Sequence, residues 1–285
     1  MKEYGISGNQ IGNPAILRTL QALKQAYDEM GAPLYVVGAA ARDILLKALG
    51  VEDAPRQTMD LDVAVFLEQW DEYDALTSIL ERKGFKKAPE KQKFLYSVPD
   101  SSAVYEVDVV PFGAIASDER VAWPPDGNPV MSVRCFSDVM RHALQITIDG
   151  TLSFRIASMS GQWLIKLDAW NDRHFRTRKD AADMQFFLEN AYIPLALKSD
   201  GIPDEISLDA DSFDITVAGA EWLASEMKAI LSEEHRRLYS SLINSEVALE
   251  EDSYLLNDLA DYARTSSFET ISRALSRMAE IIRSQ

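Results

Sequence analysis

Apolar residues recur along the chain with two different periods, and segments of each period alternate through its first half. Helical spacing, with an apolar residue at every third or fourth position, begins at Pro14 and again at Trp70, and Gly31 and Gly84 end the two runs. Between these runs apolar and polar residues alternate, which is typical of β-strands with one buried face. The pattern predicts an α/β (α+β) fold, with a mixed sheet flanked by helices over residues 13–155.

Helical spacing dominates the rest of the chain, which predicts a second, helical domain over residues 156–285. Two stretches lack a clear period: residues 1–12, expected to be a polar lead-in, and the acidic residues 199–217, expected to be a loop with a short strand. The predicted strands are 34–37, 60–65, 93–98 and 104–110, with a hairpin over 146–156. The predicted helices are 14–30, 40–49, 70–83, 136–144, 159–172, about 180–190, 221–242, 253–263 and 268–282, and residues 114–133 are expected to be rich in loops.

Two carboxylates share one face of the strand that begins at Asp60. Because successive side chains in a strand point to opposite faces, Asp60 and Asp62 lie on one side and the apolar residues between and after them on the other. Like charges this close repel each other, a cost normally met only where a cation lies between them. Oxygen donors without a nearby His or Cys favour Mg²⁺ or Mn²⁺ as that cation.

A glycine turn precedes this strand in the sequence. The apolar strand 34–37 stops at Gly38, and a helix begins directly after it. Backbone N–H groups at the start of a helix have no partner within the helix and are able to bind a phosphate group. A glycine turn followed by an Asp-x-Asp strand is therefore the layout expected of a site for metal-dependent phosphoryl or nucleotidyl transfer.

A third acidic residue lies in the strand 104–110. Asp108 stands within the apolar sequence Val107-Asp108-Val109, so its carboxylate either caps a sheet edge or points into a site. Glu106 lies on the same face of that strand and is the competing candidate.

A basic stretch between two predicted helices holds another group of charged residues. Lys166 lies on the first helix, and Asp180 and Asp183 lie three positions apart at the start of the second, hence on one face of it. Residues 153–180 contain six basic and three acidic side chains, a net charge of +3. From the residues alone, a solvated charged turn and a functional site are both open.

The strand–Gly38–helix unit and the Asp-x-Asp strand resemble the polymerase-beta-like nucleotidyltransferase superfamily. Within it the sequence is most similar to AbiEii-type (abortive-infection) nucleotidyltransferases, which share the lysine on one helix and an Arg/Lys-Asp-x-x-Asp motif opening the next, here Lys179 to Asp183. The block from Val37 to Asp43 also resembles the start of tRNA nucleotidyltransferases. Ala39 stands where the superfamily has Gly or Ser, so a hydroxyl contact to phosphate is absent there.

The resemblance implies a role for each of these residues. Asp60, Asp62 and Asp108 would hold Mg²⁺ or Mn²⁺, and Asp108 would also help to deprotonate the acceptor. Lys166 would contact a nucleoside triphosphate, and Asp180 would orient Lys166 or a substrate hydroxyl; Arg42 would either bind phosphate or bridge to Asp43. The implied catalytic residues are Asp60, Asp62, Asp108, Lys166 and Asp180, and the implied nucleotide-binding residues are Gly38, Ala39, Arg42, Thr58, Lys166 and Asp183.

Composition and charge limit the classes of partner. Hydrophobic residues make up 47% of the 285 residues and charged residues 26%, as in ordinary globular proteins. No apolar run is long enough for a membrane span and no signal sequence is evident, so a cytoplasmic protein is expected. The net charge of −16 argues against non-specific coating of DNA.

The resemblance implies an RNA acceptor, often the 3′ end of tRNA, or a protein hydroxyl, and an antitoxin partner for those relatives that are toxins. Two alternatives stay open. One is a tRNA 3′-end or small-molecule nucleotidyltransferase, and the other is a catalytically inactive nucleotide-binding regulator, which Ala39 permits. The nucleotide, the acceptor, the oligomeric state and the existence of an antitoxin do not follow from the sequence.

Overall fold

The computed structural model describes residues 2–51 and 60–284, which form two compact units divided between Ser158 and Met159. The strands of the first unit are β1 (Glu3–Ile6), β2 (Tyr35–Val37), β3 (Asp60–Phe66), β4 (Phe85–Lys87), β5 (Lys93–Ser97), β6 (Val104–Phe112), β7 (Arg120–Ala122), β8 (Val130–Ser132), β9 (Leu144–Ile148) and β10 (Leu152–Ile156). Its helices are α1 (Gly8–Ile11), α2 (Pro14–Met30), α3 (Gly38–Ala48), α4 (Trp70–Arg82) and α5 (Phe136–Arg141).

Eight of the strands form one mixed sheet in the order β1-β9-β10-β2-β3-β6-β5-β4, and β7 and β8 form a separate hairpin. Strand β3 lies inside the sheet, antiparallel to β2 and parallel to β6. Its apolar face is buried at Val63, and the same is true of Val107 and Val109 on β6. Helix α3 packs against β2 and β3, and α2 packs against α4. The predicted mixed sheet flanked by helices, followed by a helical C-terminal region, is confirmed.

Helix α2 and the β9–β10 turn begin and end where their local signals predict. The side chain of Asn13 accepts a hydrogen bond from the Ala15 amide at 3.0 Å, which caps α2 directly before Pro14. Gly31 ends the same helix with φ of +76°, a backbone conformation that favours glycine. The turn at Asp149 and Gly150 joins β9 to β10, and both residues have positive φ, as in a type I′ hairpin.

Two predictions for this unit were wrong. Residues 1–12 contain strand β1 and helix α1 rather than a polar lead-in, because β1 pairs in parallel with β9 about 140 residues further along the chain. The predicted helix 136–144 ends at Arg141, because Leu144 already belongs to β9. Both errors concern contacts between distant segments, which a local pattern does not contain.

The second unit consists of helices and connecting loops, with no strand among its described residues. Its helices are α6 (Met159–Arg173), α7 (Lys179–Asn190), α8 (Tyr192–Lys198), α9 (Ile215–Ile230), α10 (Glu233–Val247), α11 (Tyr254–Ala260) and α12 (Phe268–Arg283). Helix α12 packs against α9 and α10, and α7 packs against α6, α9 and α11. Among the described residues, no helix has the length and apolar content needed to cross a membrane.

The sequence misplaced three features of the second unit. The predicted helix 221–242 is two helices, because Leu231 has an extended backbone and Ser232 caps α10 by accepting a hydrogen bond from the His235 amide. The short helix α8 was not predicted. No strand lies in residues 199–217, all of which the structure describes.

Candidate active site

Asp62 and Asp108 lie directly opposite each other on the neighbouring parallel strands β3 and β6. One step earlier along both strands, Asp60 lies opposite Glu106. Residues paired in register point to the same face of a sheet, so four carboxylates share one face here. The predicted alternation in β3 is observed, since Leu61 is buried while Asp60 is exposed and Asp62 is partly buried.

Asp108 is the most unusual acid of this face. Its Oδ1 atom is inaccessible to solvent and has no hydrogen-bond partner among the described residues. Burial raises the pKa of this carboxyl group above its ordinary value. The charge of Lys93 lowers the pKa, whereas the charges of Glu106 and Asp60 raise it further. An unpaired carboxylate oxygen held beside other acids is suited to binding a cation or accepting a proton.

Gly38 lies against the carboxylate of Asp62. Its φ is +72°, and a Cβ atom added to it would stand 2.0 Å from Oδ2 of Asp62. Val37, which precedes it, is paired in register with Asp62, so the close approach follows from the antiparallel pairing of β2 with β3. Only a residue without a side chain permits helix α3 to begin at this point beside the acidic face.

Lys93 is a residue of this face that the sequence did not single out. Strand β5 is antiparallel to β6 and places Lys93 opposite Asp108, and the Lys93 ammonium group forms an ion pair with Glu106. This ion pair raises the pKa of Lys93. Because Glu106 is paired with Lys93, the structure distinguishes the two competing acids: Glu106 has a cation as its partner, and the Oδ1 of Asp108 has none among the described residues.

The other residues assigned to nucleotide binding in this unit have different surroundings. Ala39 is the second residue of α3, next to Gly38. The Arg42 side chain is 10% exposed and forms an ion pair with Asp43 at 2.8 Å, the bridging arrangement that the sequence had left open. Thr58 lies outside the described residues.

The donor set of the acidic face is compatible with a hard divalent cation. Its carboxylate oxygens are the ligands that Mg²⁺ and Mn²⁺ prefer, and the unpaired Oδ1 of Asp108 has the character of an unused ligand atom. Within residues 2–51 and 60–284, no three His, Cys, Asp or Glu side chains converge on one point, so the acids of this face would turn towards a cation as it binds.

In the second unit, the side chains of Lys166, Asp180 and Asp183 lie together. The ammonium group of Lys166 on α6 lies 3.2 Å from Oδ1 of Asp180 and 2.8 Å from Oδ2 of Asp183, both on α7. The Asp180 side chain is completely buried, and those of Lys166 and Asp183 are 18% and 15% exposed. A solvated charged turn does not describe this cluster, because its central carboxylate has no contact with water.

Arg173 completes the cluster and was not assigned a role from the sequence. Its guanidinium group donates to both oxygens of Asp180, through Nε at 2.7 Å and Nη2 at 2.9 Å. Burial alone would raise the pKa of Asp180, but the hydrogen bonds from Arg173 and the charge of Lys166 outweigh burial and lower it. Asp180 is therefore held as a carboxylate between two cations.

The remaining basic residues of this stretch are partly neutralised inside the second unit. Arg178 forms ion pairs with Asp258 at 3.1 Å and with Asp261 at 2.6 Å. The imidazole of His174 stacks on Trp170 with ring centroids 4.5 Å apart, and the exposed Phe175 lies against the other side of this group. The net charge of +3 counted along the sequence thus overstates the positive charge available to a ligand.

No protein-family model matches the chain, and no curated protein matches it. Among solved structures, the solution structure of the antibiotic-resistance factor ANT(2'')-Ia is similar, with 19% sequence identity and a TM-score of 0.33. The similarity covers 55% of this chain and 73% of that one. A similarity this weak does not establish a shared fold or function.

Proposed function

We propose that this protein is a metal-dependent nucleotidyltransferase, which transfers a nucleoside monophosphate from a nucleoside triphosphate to an acceptor hydroxyl. The observation that carries the proposal is the pairing of Asp62 with Asp108 in register on parallel strands, with Gly38 and the start of α3 against Asp62. A pair of acids beside a helix N-terminus offers cation ligands and phosphate-binding amides in one place.

Asp60, Asp62 and Asp108 would hold the metal, which is Mg²⁺ or Mn²⁺ by the chemistry of its oxygen ligands. A divalent ion bound there would neutralise phosphate charge and lower the pKa of the attacking hydroxyl. Burial, and after it the charges of neighbouring acids, raises the pKa of Asp108, and a bound cation would favour the ionised form of this carboxyl group.

In the reaction, the acceptor oxygen attacks the α-phosphorus and forms a new O–P bond. The bond from that phosphorus to the bridging oxygen of the β-phosphate breaks, and pyrophosphate leaves with its electron pair. The proton of the acceptor hydroxyl passes to a carboxylate oxygen of Asp108 as the new bond forms. These groups position reactants and balance charge.

The start of α3 and Lys166 would bind the phosphate groups. Backbone N–H groups of Gly38 and Ala39 would donate to the β- and γ-phosphates at the positive end of the α3 dipole. We assign Lys166 to a triphosphate oxygen in the same reaction, with Asp180 and Asp183 fixing the direction of its ammonium group. The assignment of Lys166 is supported by the resemblance of its motif and by the burial of the cluster.

The acceptor follows from the resemblance to AbiEii-type enzymes. On that ground we propose RNA, including the 3′ end of tRNA, or a protein hydroxyl, and a toxin role neutralised by an antitoxin protein. A growth assay tests the toxin role. Induced expression of the wild-type chain would arrest the growth of a bacterial host, and expression of the Asp62→Asn variant would not. Equal growth with both chains would contradict the toxin role without touching the transfer reaction.

A transfer assay tests the core proposal. Purified protein is incubated with Mg²⁺ and each α-labelled nucleoside triphosphate, with total RNA or with protein alone as acceptor. Asp60→Asn, Asp62→Asn and Asp108→Asn would each lower transfer by about 100-fold or more, because each removes charge stabilisation from the transition state. Asp100→Asn is the matched control, since the Asp100 side chain is 91% exposed. Retained transfer in the three site variants would contradict the assignment.

A further inference from the structure

A cavity of about 520 Å³ opens in the second unit between α10 and the C-terminal end of α12. It contains none of the residues assigned above to catalysis or nucleotide binding. Its lining residues are Glu233, Arg236, Arg237, Ser241, Asn244, Arg283 and Ser284.

The charge of this cavity is opposite to that of the sequence around it. Residues 199–285 contain seven basic and 18 acidic side chains, and three of the seven basic ones line this cavity with a single acid, Glu233. Elsewhere in the segment, basic residues pair with carboxylates: Arg273 with Asp214 at 3.4 Å, and Arg277 with Glu221 at 2.9 Å. The acidic composition of this segment does not account for three arginines that line one cavity.

Two of the three arginines have no counter-ion in the described part of the chain. Arg237 forms an ion pair with Glu233, one helical turn before it. Arg236 and Arg283 have no ion pair with any described carboxylate, and Nε of Arg236 is inaccessible to solvent without a hydrogen-bond partner. A buried guanidinium N–H that lacks a partner is costly, and a bound anion would satisfy it.

Guanidinium groups favour one chemical class of anion. Their planar fork of N–H donors matches the oxygens of phosphate, which accept two parallel hydrogen bonds. Ser241 and Asn244 add neutral donors to the lining of the cavity. A volume of about 520 Å³ is in the range of small-molecule sites and exceeds what a single ion requires.

We propose that this cavity, the α10–α12 pocket, binds a small molecule that carries two or more phosphate groups, with Arg236 and Arg283 as its main contacts. Arg236 and Arg283, which have no ion pair among the described residues, set the requirement for at least two negative charges on the ligand. The site is independent of the proposed transfer reaction, because none of its residues takes part in that reaction.

Calorimetric titration with sodium pyrophosphate tests the site, in the presence of EDTA so that no metal–phosphate complex contributes. The full-length wild-type chain is compared at low ionic strength with the double variant Arg236→Gln/Arg283→Gln. We expect the double variant to bind pyrophosphate at least about tenfold more weakly, because charge-assisted hydrogen bonds are lost. Arg273→Gln, on the same helix as Arg283, is the matched control and would bind as wild type does.

A second variant tests the site even if the double variant does not fold. Ser241→Asp adds a carboxylate to the exposed wall of the cavity without removing an arginine, and it would also weaken pyrophosphate binding. Circular dichroism melts confirm that both variants are folded. Unchanged binding in both folded variants would overturn the proposal.

Two further outcomes identify a different site. If Lys166→Ala abolishes pyrophosphate binding and the arginine double variant does not, the anion belongs to the Lys166 cluster, which overturns the pocket and leaves the proposed transfer reaction standing. If pyrophosphate does not bind but a uridine oligonucleotide does, and Arg236 is required, the pocket serves a nucleic-acid backbone and the small-molecule proposal is wrong.

Discussion

Asp62 and Asp108 lie directly opposite each other across the parallel strands β3 and β6. The Asp62 carboxylate lies close against Gly38, while the Oδ1 atom of Asp108 has no partner among the described residues. Two acids held in register repel each other, and this repulsion raises the free energy of the folded chain. A bound metal ion would relieve this repulsion. The role of the pair is therefore tested by stability measurements as well as by activity.

Replacement of Asp108 by Asn would stabilise the metal-free protein at neutral pH. The folded-state pKa of Asp108 is raised above the ordinary 3.8, so its ionised form lowers stability at a pH above that folded-state pKa. The Asn variant removes the charge and would raise the Tm at pH 7 by roughly 1–2 °C, allowing for solvent screening. Thermal unfolding in EDTA measures the difference.

The pH profile supplies the control for this prediction. As the pH falls through the folded-state pKa towards 3.8, Asp108 becomes protonated in the folded protein, so the gap in Tm between wild type and variant would narrow. Below pH 3.8 Asp108 is protonated in both states, and the gap would stay constant. A gap that is the same at every pH would show that the substitution acts through packing rather than through charge.

Substitution of Gly38 by Ala would damage both folding and the site. The added Cβ would overlap the Asp62 carboxylate, and the positive φ costs a further roughly 1–2 kcal/mol for a residue with a side chain. A shift of the Asp62 carboxylate by about 1 Å, enough to relieve this overlap, would lower the rate of transfer by about 100-fold. Gly31→Ala is the matched control, because Gly31 has φ of +76° and open space around it.

The difference between the two glycine variants therefore isolates the contact with Asp62. Chemical denaturation of each gives the free energy of unfolding. If Gly38→Ala lowers the free energy of unfolding no more than Gly31→Ala does, the close approach of Gly38 to Asp62 does not contribute to stability. The fold would then not require close packing of α3 on the acidic face.

Lys166 and Asp180 would behave as one unit in a double-mutant cycle on the rate of transfer. Lys166→Ala and Asp180→Asn would each reduce turnover, and the double variant would be little worse than either, because the ammonium and carboxylate groups are in direct contact. Lys198→Ala, which changes an exposed lysine at the end of α8, is the control. Additive losses would contradict the coupling.

The same variants have a separate effect on stability. Asp180 is completely buried, and Lys166→Ala leaves it with Arg173 as its remaining partner among the contacts described above. We expect a cost of about 1–3 kcal/mol, less than the cost of leaving a buried charge with no partner at all. An unchanged free energy of unfolding for Lys166→Ala would show that Arg173 alone neutralises Asp180.

Glu189 would stabilise the second unit in a manner that depends on pH. Its Oε1 accepts hydrogen bonds from the backbone amides of residues 264–266 and, at 2.6 Å, from the Ser266 hydroxyl. Burial alone would raise its pKa, but the hydrogen bonds outweigh burial and lower the pKa to about 2 from 4.5. Glu189→Gln would therefore destabilise the protein by about 1–2 kcal/mol at neutral pH.

The sign of this effect sets the measurement. Because the folded-state pKa is depressed, the contribution of Glu189 is complete above pH 4.5 and is lost as the pH falls towards about 2. The stability gap between wild type and Glu189→Gln would shrink over that window in denaturant titrations. A gap independent of pH would assign the effect to the shape of the side chain.

Features that depend on neighbours in the sequence were predictable from the sequence alone. The capped start of α2 at Asn13 and its end at Gly31 follow from backbone preferences of single residues. The shared face of Asp60 and Asp62 follows from the two-residue period of a strand, and the meeting of Lys166 with Asp180 follows from two helices joined by a short turn.

Only the tertiary structure decided which distant segments meet. The sequence left Asp108 and Glu106 as competitors, and the order of strands settled their surroundings, because antiparallel β5 brings Lys93 to Glu106 and leaves Oδ1 of Asp108 unpaired among the described residues. The pairing of β1 with β9 and the gathering of Arg236 with Arg283 likewise depend on long-range packing. Burial and hydrogen bonding over the whole fold determine such contacts. The local spacing of apolar and polar residues along the chain therefore does not predict them.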